Sequence, residues 1–240
     1  MIALRVATAL IAAAIAAPAI AAGLGVEASS DLRRHGLSWS DGKPALEAWV
    51  SLPVTDGLSI EGGAATLRGS ARHGGGDLLA EAALRYTRQN GAFSWWADVQ
   101  GLGFVGTSGQ SYGQFRTGAA FGIGPVQLAG TASWAPPQVA IGGSNLHVGG
   151  SINLGIPATP LTLRASGGRS MGNDNGSGRA NRLRPGGDYS DFRLDADYVL
   201  GPVTLGASMV ATTIKRDAAV PRAFADNAGT QFLLRAALEF

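Results

Sequence analysis

The chain has 240 residues, a formal net charge of +2, no cysteine and 36 glycines. Only 15% of its residues are charged, well below the share of roughly 25% that is usual in soluble domains, so an ordinary soluble surface is not expected. The near-neutral charge gives no reason to expect a nucleic-acid partner, and without cysteine the fold of an exported chain depends on no disulfide.

The first predicted element is a secretory signal peptide. Arg5 supplies a positive charge, residues 6–17 form a short apolar run, and Ala19–Ala22 offers small residues for cleavage. The apolar run is too short for a membrane-spanning helix. We therefore expect residues 1–22 to be cleaved and residues 23–240 to form one exported domain.

Alternation with a period of two returns along the rest of the chain. Every second residue is apolar and the residues between are polar or charged, as in Leu84 and Tyr86 against Arg85 and Thr87. This pattern is typical of a strand with two different faces. The sequence predicts about twelve such strands, near residues 24–33, 46–52, 58–64, 78–87, 93–100, 114–121, 126–134, 145–154, 161–166, 192–200, 203–212 and 231–240.

The predicted connections fall into two length classes. The longer ones include the polar stretch Ser170–Asp188, whereas Asn90-Gly91 is typical of a tight type I′ hairpin turn. A soluble β-sandwich also has alternating strands, but it predicts neither two classes of connection nor so few charges outside. We therefore predict an all-β, transmembrane, antiparallel up-and-down β-barrel with short periplasmic turns and longer external loops. The short turns lie near residues 53–57, 90–91, 122–125, 155–160 and 201–202.

The closing segment, QFLLRAALEF from Gln231 to Phe240, is the clearest of these strands. Its apolar face runs from Phe232 to Phe240 at every second residue, and the other face carries Arg235 and Glu239. An alternating strand that ends the chain on Phe resembles the last strand of Gram-negative outer-membrane proteins, which the barrel-assembly machinery reads. The resemblance implies an outer-membrane location, contact with membrane lipid and lipopolysaccharide, and the assembly machinery as a partner through this strand.

A second resemblance lies in ASSDLRRHGLSWSDGKPALEA, residues 28–48. The segment resembles the opening of the TorF family of porins, and it departs from the family pattern at Leu32, in place of an aromatic residue, and at His35, in place of a second Arg. The resemblance implies an outer-membrane barrel that passes small solutes, and it supplies no binding residues. The matching positions are Ser30, Asp31, Arg33, Gly36, Ser38, Ser40, Asp41, Pro44 and Ala45.

Charged residues on the polar faces of the strands are the candidates for a functional site. A charge facing lipid would cost about 2–4 kcal/mol at mid-membrane, so these side chains should face the lumen. There they either line a water-filled conduit or pair across the barrel and hold it shut, and a barrel of this size is compatible with both. The candidate pore-lining residues are Arg33, Glu47, Glu81, Arg85, Asp98, Arg116, Arg164, Arg193, Asp195, Asp197 and Arg235.

Enzymatic chemistry finds little support in the sequence. Ser151 lies four residues from His147 on one strand, too far for a hydrogen bond, and His35 and His73 fall in loops without a matching serine motif. The run 101–106 matches G-x-G-x-x-G, but no helix follows to bind a pyrophosphate. We therefore expect a protein that is not an enzyme, with no catalytic residue, no metal site and no cofactor.

Passive diffusion of small hydrophilic solutes is the function that the sequence predicts. The alternative is a closed structural or adhesion barrel that acts through its external loops, chiefly Ser170–Asp188. In that stretch Arg179, Arg182 and Arg184 could bind lipopolysaccharide phosphates or attract anions to a pore mouth. A lipase at the membrane interface is a weaker third possibility.

Overall fold

The computed structural model describes residues 23–215, 224 and 227–240, so the predicted signal peptide lies outside the described residues. No helix in the described part is long and apolar enough to cross a membrane. Three short 3₁₀ turns, Ala71–His73, Val139–Ile141 and Arg179–Arg182, lie in the connections. The strands are β1 (Gly23–Ser29), β2 (Arg33–Arg34), β3 (Leu37–Ser38), β4 (Ala45–Thr55), β5 (Leu58–Ser70), β6 (Gly76–Asn90), β7 (Phe93–Val105), β8 (Tyr112–Ile123), β9 (Val126–Gln138), β10 (Gly143–Gly155), β11 (Leu161–Met171), β12 (Tyr189–Leu200), β13 (Val203–Thr212) and β14 (Gln231–Glu239).

Strand β1 and strands β4 to β14 form one closed antiparallel barrel. Consecutive strands pair with each other, and β1 closes the ring because Val26 lies opposite Leu238 of β14 and opposite Ala48 of β4. Strands β2 and β3 form a separate two-stranded piece. Closure leaves no barrel strand with an unpaired edge, which is what a lipid environment requires. The predicted up-and-down barrel is confirmed.

The two faces of the wall differ in chemistry. Large apolar side chains such as Leu84, Val99 and Ile152 point outward and are about half exposed. Their sequence neighbours Arg85 and Asp98 point into the lumen, where they bond to each other. Because side chains alternate across a strand, the period of two in the sequence becomes an apolar exterior and a polar interior.

The predicted division of the connections into short and long is realised only in part. The five turns at one end have two to five residues each, whereas the connections at the other end include one of four residues at 139–142 and one of seventeen at 172–188. Two proline sites differ in detail, since Pro53 and the pair Pro136-Pro137 lie inside β4 and β9 rather than in a turn or loop. The pairing register shifts next to both sites. Proline lacks an N–H to donate, so a strand tolerates it where the ladder is interrupted. We call the two ends of the barrel the short-turn end and the long-connection end.

The first strand is shorter than its alternation predicts. It ends at Ser29 instead of continuing to Arg33. Leu32, which the pattern places on the lipid face, is instead 5% exposed in the interior. The chain leaves the wall after Ser29 and turns into the barrel, and this turn creates the central feature of the candidate site.

Candidate functional site

Residues 30–44, which we call the inner loop, fold into the lumen at the long-connection end. The loop contains the β2–β3 hairpin and buries Leu32, Leu37 and Trp39 almost completely. These side chains pack in one cluster with inward-facing wall residues such as Leu79 and Phe104. The loop therefore fills part of the barrel with an apolar core, and its position could not be read from the alternation pattern.

Asp31 organises the inner loop from within. Its carboxylate accepts hydrogen bonds from the hydroxyls of Ser38 and Ser40 at 2.6 and 3.0 Å. It also bonds Nε of Arg33 at 2.6 Å, and Arg33 Nη1 donates to the carbonyl of Gly36 at 2.8 Å. A buried carboxylate needs such partners to offset its lost hydration. Arg33, predicted as a wall residue, is thus part of the loop's own framework and not of a barrel strand.

Arg34 anchors the inner loop to the wall. Its guanidinium donates to Glu81 Oε1 at 2.5 Å and to Glu47 Oε1 at 2.6 Å, which joins the loop to β6 and β4. Burial alone would lower the pKa of Arg34, but the carboxylates of Glu81 and Glu47 outweigh it and raise that pKa. The guanidinium therefore stays charged, and charge-assisted bonds of this kind are the stronger class.

The tip of the inner loop contacts the opposite wall. The hydroxyl of Tyr189 donates to the carbonyl of His35 at 2.8 Å, and the His35 and His147 rings lie 3.7 Å apart between centroids. His147 Nε2 in turn lies 2.9 Å from Asp191 Oδ1. Gly36 has a φ of 75°, and a Cβ there would lie 2.9 Å from that of Asp191. The close approach requires glycine at the tip.

Buried arginines close the long-connection end above the inner loop. Arg72 donates to the carbonyls of Ser38 and Arg182, and Arg182 donates to those of Ala140 and Gln110. Burial lowers the pKa of both guanidiniums to about 10, so both remain charged at neutral pH. They tie connections from several strand pairs into one cap.

The arginines of the long loop take different places from those the sequence analysis considered. Arg182 and Arg184 are almost fully buried, and Arg184 donates to the carbonyls of Gly172 and Asn173 at 2.7 Å. Neither guanidinium is free to bind lipopolysaccharide phosphates. Arg179 is exposed and donates to the carbonyl of Gly109.

Most of the predicted wall residues lie on the inward face and are already paired. Asp98 is completely buried between Arg85 and Arg116, each 2.8 Å away. On the other side of the barrel Arg193 bonds Asp195 at 2.7 Å. The other members of the predicted set in pairs are Glu47 and Glu81, which bond Arg34, and Asp197, which bonds Arg235.

Arg164 and Glu61 are inward charges near the short-turn end that lack an ionic partner among the described residues. Arg164 of β11 forms no salt bridge there, although Asp195 lies opposite it in the pairing register. Glu61 of β5 accepts only from the hydroxyls of Ser51 and Ser59, at 2.9 and 2.5 Å. Strands β5 and β11 lie on opposite sides of the ring, so an uncompensated carboxylate and an uncompensated guanidinium face each other across the lumen.

Adjoining cavities lie within the barrel, and the inner loop lines part of two of them. The main cavity has a volume of about 450 Å³ and is lined by Arg34, Glu81, Gln100 and Asn145 among others. A second cavity of about 220 Å³ contains Arg164 in its lining, and a third of about 140 Å³ contains Glu61. The main cavity shares His35, Thr131 and His147 with the second, and Glu47, Glu81, Gln100 and Arg116 with the third, so the three adjoin.

Small residues in the wall keep space in the lumen. The indole of Trp96 lies flat over Gly118 of the next strand, where a Cβ would come within 2.8 Å of the ring. Trp49 lies over Gly25 in the same way. Large inward side chains thus lie along the wall instead of across the lumen, which is a reason for glycine on the inward phase.

The anchors of the inner loop, chiefly Arg34, Trp39 and Tyr189, were not among the residues predicted from the sequence. One signal for them was present, because the inward faces of β6 and β7 change from charged near the short-turn end to apolar near the other end. Leu79 and Leu102 lie on that inward phase. An inward face that becomes apolar must pack against other apolar side chains. The inner loop, which lies within the TorF-like segment 28–48, supplies those side chains.

Comparisons with solved structures place the barrel among outer-membrane channels by fold. A KdgM porin aligns with a TM-score of 0.60 at 7% identity, over 91% of this chain and 99% of that one. A NanC porin aligns at 0.57 and 11% identity, over 90% and 98%. The COG4313 outer membrane channel from Pseudomonas putida F1 aligns at 0.55 and 16% identity, over 93% and 97%. At such identities the likeness is one of fold.

Sequence comparison gives a family. No protein with a curated description matches the sequence. Residues 13–238 match the model of a bacterial protein family of unknown function, Gcw_chp, and this match does not carry the TorF name. Because it spans almost the whole chain, the protein belongs to the Gcw_chp family.

Proposed function

We propose that the protein is an outer-membrane channel for passive diffusion of small hydrophilic solutes, in which the inner loop forms the constriction. The observation that carries the proposal is a series of adjoining cavities with charged side chains in their linings, two of them lined in part by a loop folded into an otherwise continuous barrel.

The composition of the lumen supports passage of water-soluble molecules. Arg85 and Arg116 project inward near Glu61 and Asp98, and Arg164 projects inward from the opposite side of the barrel. Charges of both signs hold water in the lumen and reject apolar solutes. These residues, with the rest of the predicted set, are our candidates for the wall that sets selectivity.

Resemblances point in the same direction. The fold is shared with porins, and one KdgM porin was solved in complex with disordered oligogalacturonate, so a barrel of related fold admits a chain of sugar units. The TorF-like segment 28–48 coincides with the inner loop. We infer an outer-membrane location, contact with its lipid and lipopolysaccharide, and insertion by the barrel-assembly machinery through Gln231–Phe240.

Planar-bilayer conductance of refolded residues 23–240 tests the proposal. The register suggests the key variant, since Ser29 lies opposite Ala45 and an Asn-Gly turn can therefore replace residues 30–44. We expect small discrete current steps for the complete chain and several-fold larger steps for the variant. Silence of both proteins, with the fold verified by circular dichroism, would refute a channel.

A closed barrel acting through its external surface is the second candidate. The observation that favours it is the cap in which Arg72 and Arg182 bind carbonyls across the long-connection end. In that case the complete chain stays silent while the loop-replacement variant conducts. That result would move the function to the external loops, chiefly Ser170–Asp188.

A further inference from the structure

The main cavity has the size and enclosure of a small-molecule site. Its volume of about 450 Å³ falls within the range of about 300–1,000 Å³ typical of ligand pockets. The inner loop contributes Arg34 and Trp39 to the lining, and the wall contributes Gln100, Gln114 and Asn145. The cavity therefore lies between the constriction and the barrel wall, where a solute in transit would pause.

Charged groups of this lining are compensated within the protein. Arg34 bonds Glu47 and Glu81 at 2.6 and 2.5 Å. Arg116 bonds Asp98 at 2.8 Å, and His147 lies 2.9 Å from Asp191. A charged solute that entered would lose hydration without meeting a free counter-ion, which is a net cost. An uncharged solute escapes that cost.

Neutral hydrogen-bonding groups of the lining remain for a ligand. Gln114 donates to Gln100 at 2.6 Å and Gln100 donates to Glu81 at 3.0 Å, so these amides form a chain of hydrogen bonds along the wall. Asn145 is 8% exposed and its Oδ1 has no hydrogen-bond partner in the described part of the structure. Tyr112 and Ser133, which each carry a hydroxyl group, also line the cavity. Donors and acceptors in this mixture match a molecule with several hydroxyl groups.

We propose that the main cavity binds an uncharged polyhydroxylated solute, of about one or two sugar rings. The assumption that the solute reaches this cavity while crossing the barrel rests on the proposed channel function. The binding of the solute in the cavity does not depend on that function. Arg164, the lumen cation without a salt bridge among the described residues, lies in the neighbouring cavity of about 220 Å³ and not in this one. Anions are thereby directed away from the main cavity.

Binding to the refolded chain in detergent tests this assignment. Glucose, maltose, glucuronate and glucosamine are titrated by calorimetry. We expect the two neutral sugars to bind more tightly than the charged ones. We also expect Asn145→Leu to weaken maltose about tenfold, since a hydroxyl of the bound sugar then loses its amide partner. Asn153→Leu is the matched control, because Asn153 lies on the same strand outside the main cavity and bonds Gln127.

The outcomes separate the two proposals. Tighter binding of glucuronate or glucosamine overturns the assignment of an uncharged ligand. A conducting barrel that binds no sugar also overturns it and leaves the channel intact, whereas sugar binding by a silent barrel refutes only the channel. If Asn145→Leu does not refold, Gln114→Leu supplies the same comparison. An equal loss of maltose affinity in Gln114→Leu and in the control Asn153→Leu would count against the site.

Discussion

At the scale of single residues, the lumen is organised by carboxylates that each hold more than one partner. Asp98 joins Arg85 and Arg116, and Asp31 joins Arg33 to two serine hydroxyls. A shared carboxylate of this kind is sensitive to mutation, because losing it leaves two groups without a partner. The same logic makes the exposed pair of Arg88 and Asp56 far less important.

We expect Asp98→Asn to destabilise the barrel and to make the lumen more anion-selective. The variant leaves Arg85 and Arg116 without their carboxylate, and because both guanidiniums are about a quarter exposed, the cost should be about 1–3 kcal/mol, below that of a fully buried pair. Urea unfolding and the reversal potential in a salt gradient measure the two effects. Asp56→Asn is the control, and an equal loss of stability there would contradict the assignment.

Acid should loosen the inner loop through His35. Burial, and then the adjacent His147, lower the pKa of His35 to about 3; Asp191 opposes this shift, while Arg34 and Arg116 add to it. A released loop would expose an imidazole with an ordinary pKa of about 6.5. Between the two pKa values, His35 binds a proton in the released loop but not in the loop packed in the barrel. Lowering the pH therefore favours release, whereas above pH 6.5 the packed loop keeps its full free-energy advantage over the released loop.

Conductance measured between pH 7.5 and pH 5 tests this expectation. The current should rise as the pH falls, over a range in which carboxylates in general stay ionised. His35→Gln should flatten the dependence, since its side chain does not titrate. A pH profile that is unchanged in that variant would exclude His35 as the sensor.

At the scale of elements, the strands and the inner loop depend on different forces. Each barrel strand is fixed by ladder hydrogen bonds on both sides, as for β7 between β6 and β8. The inner loop pairs only with itself, and it is held by apolar packing, by Arg34 and by the bond from Tyr189. An element without ladder bonds to its neighbours is the natural moving part of a barrel.

We expect Arg34→Gln to free the inner loop without disturbing the wall. The variant removes both salt bridges to Glu47 and Glu81, so a thiol placed at position 37 should react faster with a membrane-impermeant maleimide. The chain contains no cysteine of its own, so the label reports that position alone. Lys43→Gln is the matched control in the same loop, since the Lys43 side chain is exposed and donates to the carbonyl of Arg68 without a salt bridge in the described part of the chain. Equal acceleration there would contradict an anchoring role for Arg34.

At the scale of the whole molecule, the barrel divides along its axis. Toward the short turns the inward faces carry charges, and toward the long connections they become apolar and pack on the inner loop. The connections above add the cap held by Arg72 and Arg182. The inner wall is therefore charged toward one end and covered by the inner loop toward the other, which is the arrangement that the proposed channel requires.

The sequence by itself determined the barrel, because alternation is a local property. Leu84 and Arg85 are adjacent, so they lie on opposite faces of their strand. Once lipid lies outside the barrel, the apolar Leu84 must face outward and the charged Arg85 must face the lumen. Short turns such as Asn90-Gly91 are local for the same reason, and they fix the order of the strands. The local pattern was less accurate for strand bounds, since β1 ends before residue 33 and β5, β7, β9 and β11 continue beyond their predicted ends.

Only the tertiary structure decided where the inner loop lies and which lumen charges pair. Arg34 meets Glu81 across 47 positions of sequence and Tyr189 meets His35 across 154. Nothing in the local pattern around Arg34 distinguishes a solvated loop from one folded into the lumen. Contacts at such separations depend on which strands the closed ring brings together, and this is a property of the assembled barrel and not of any one segment.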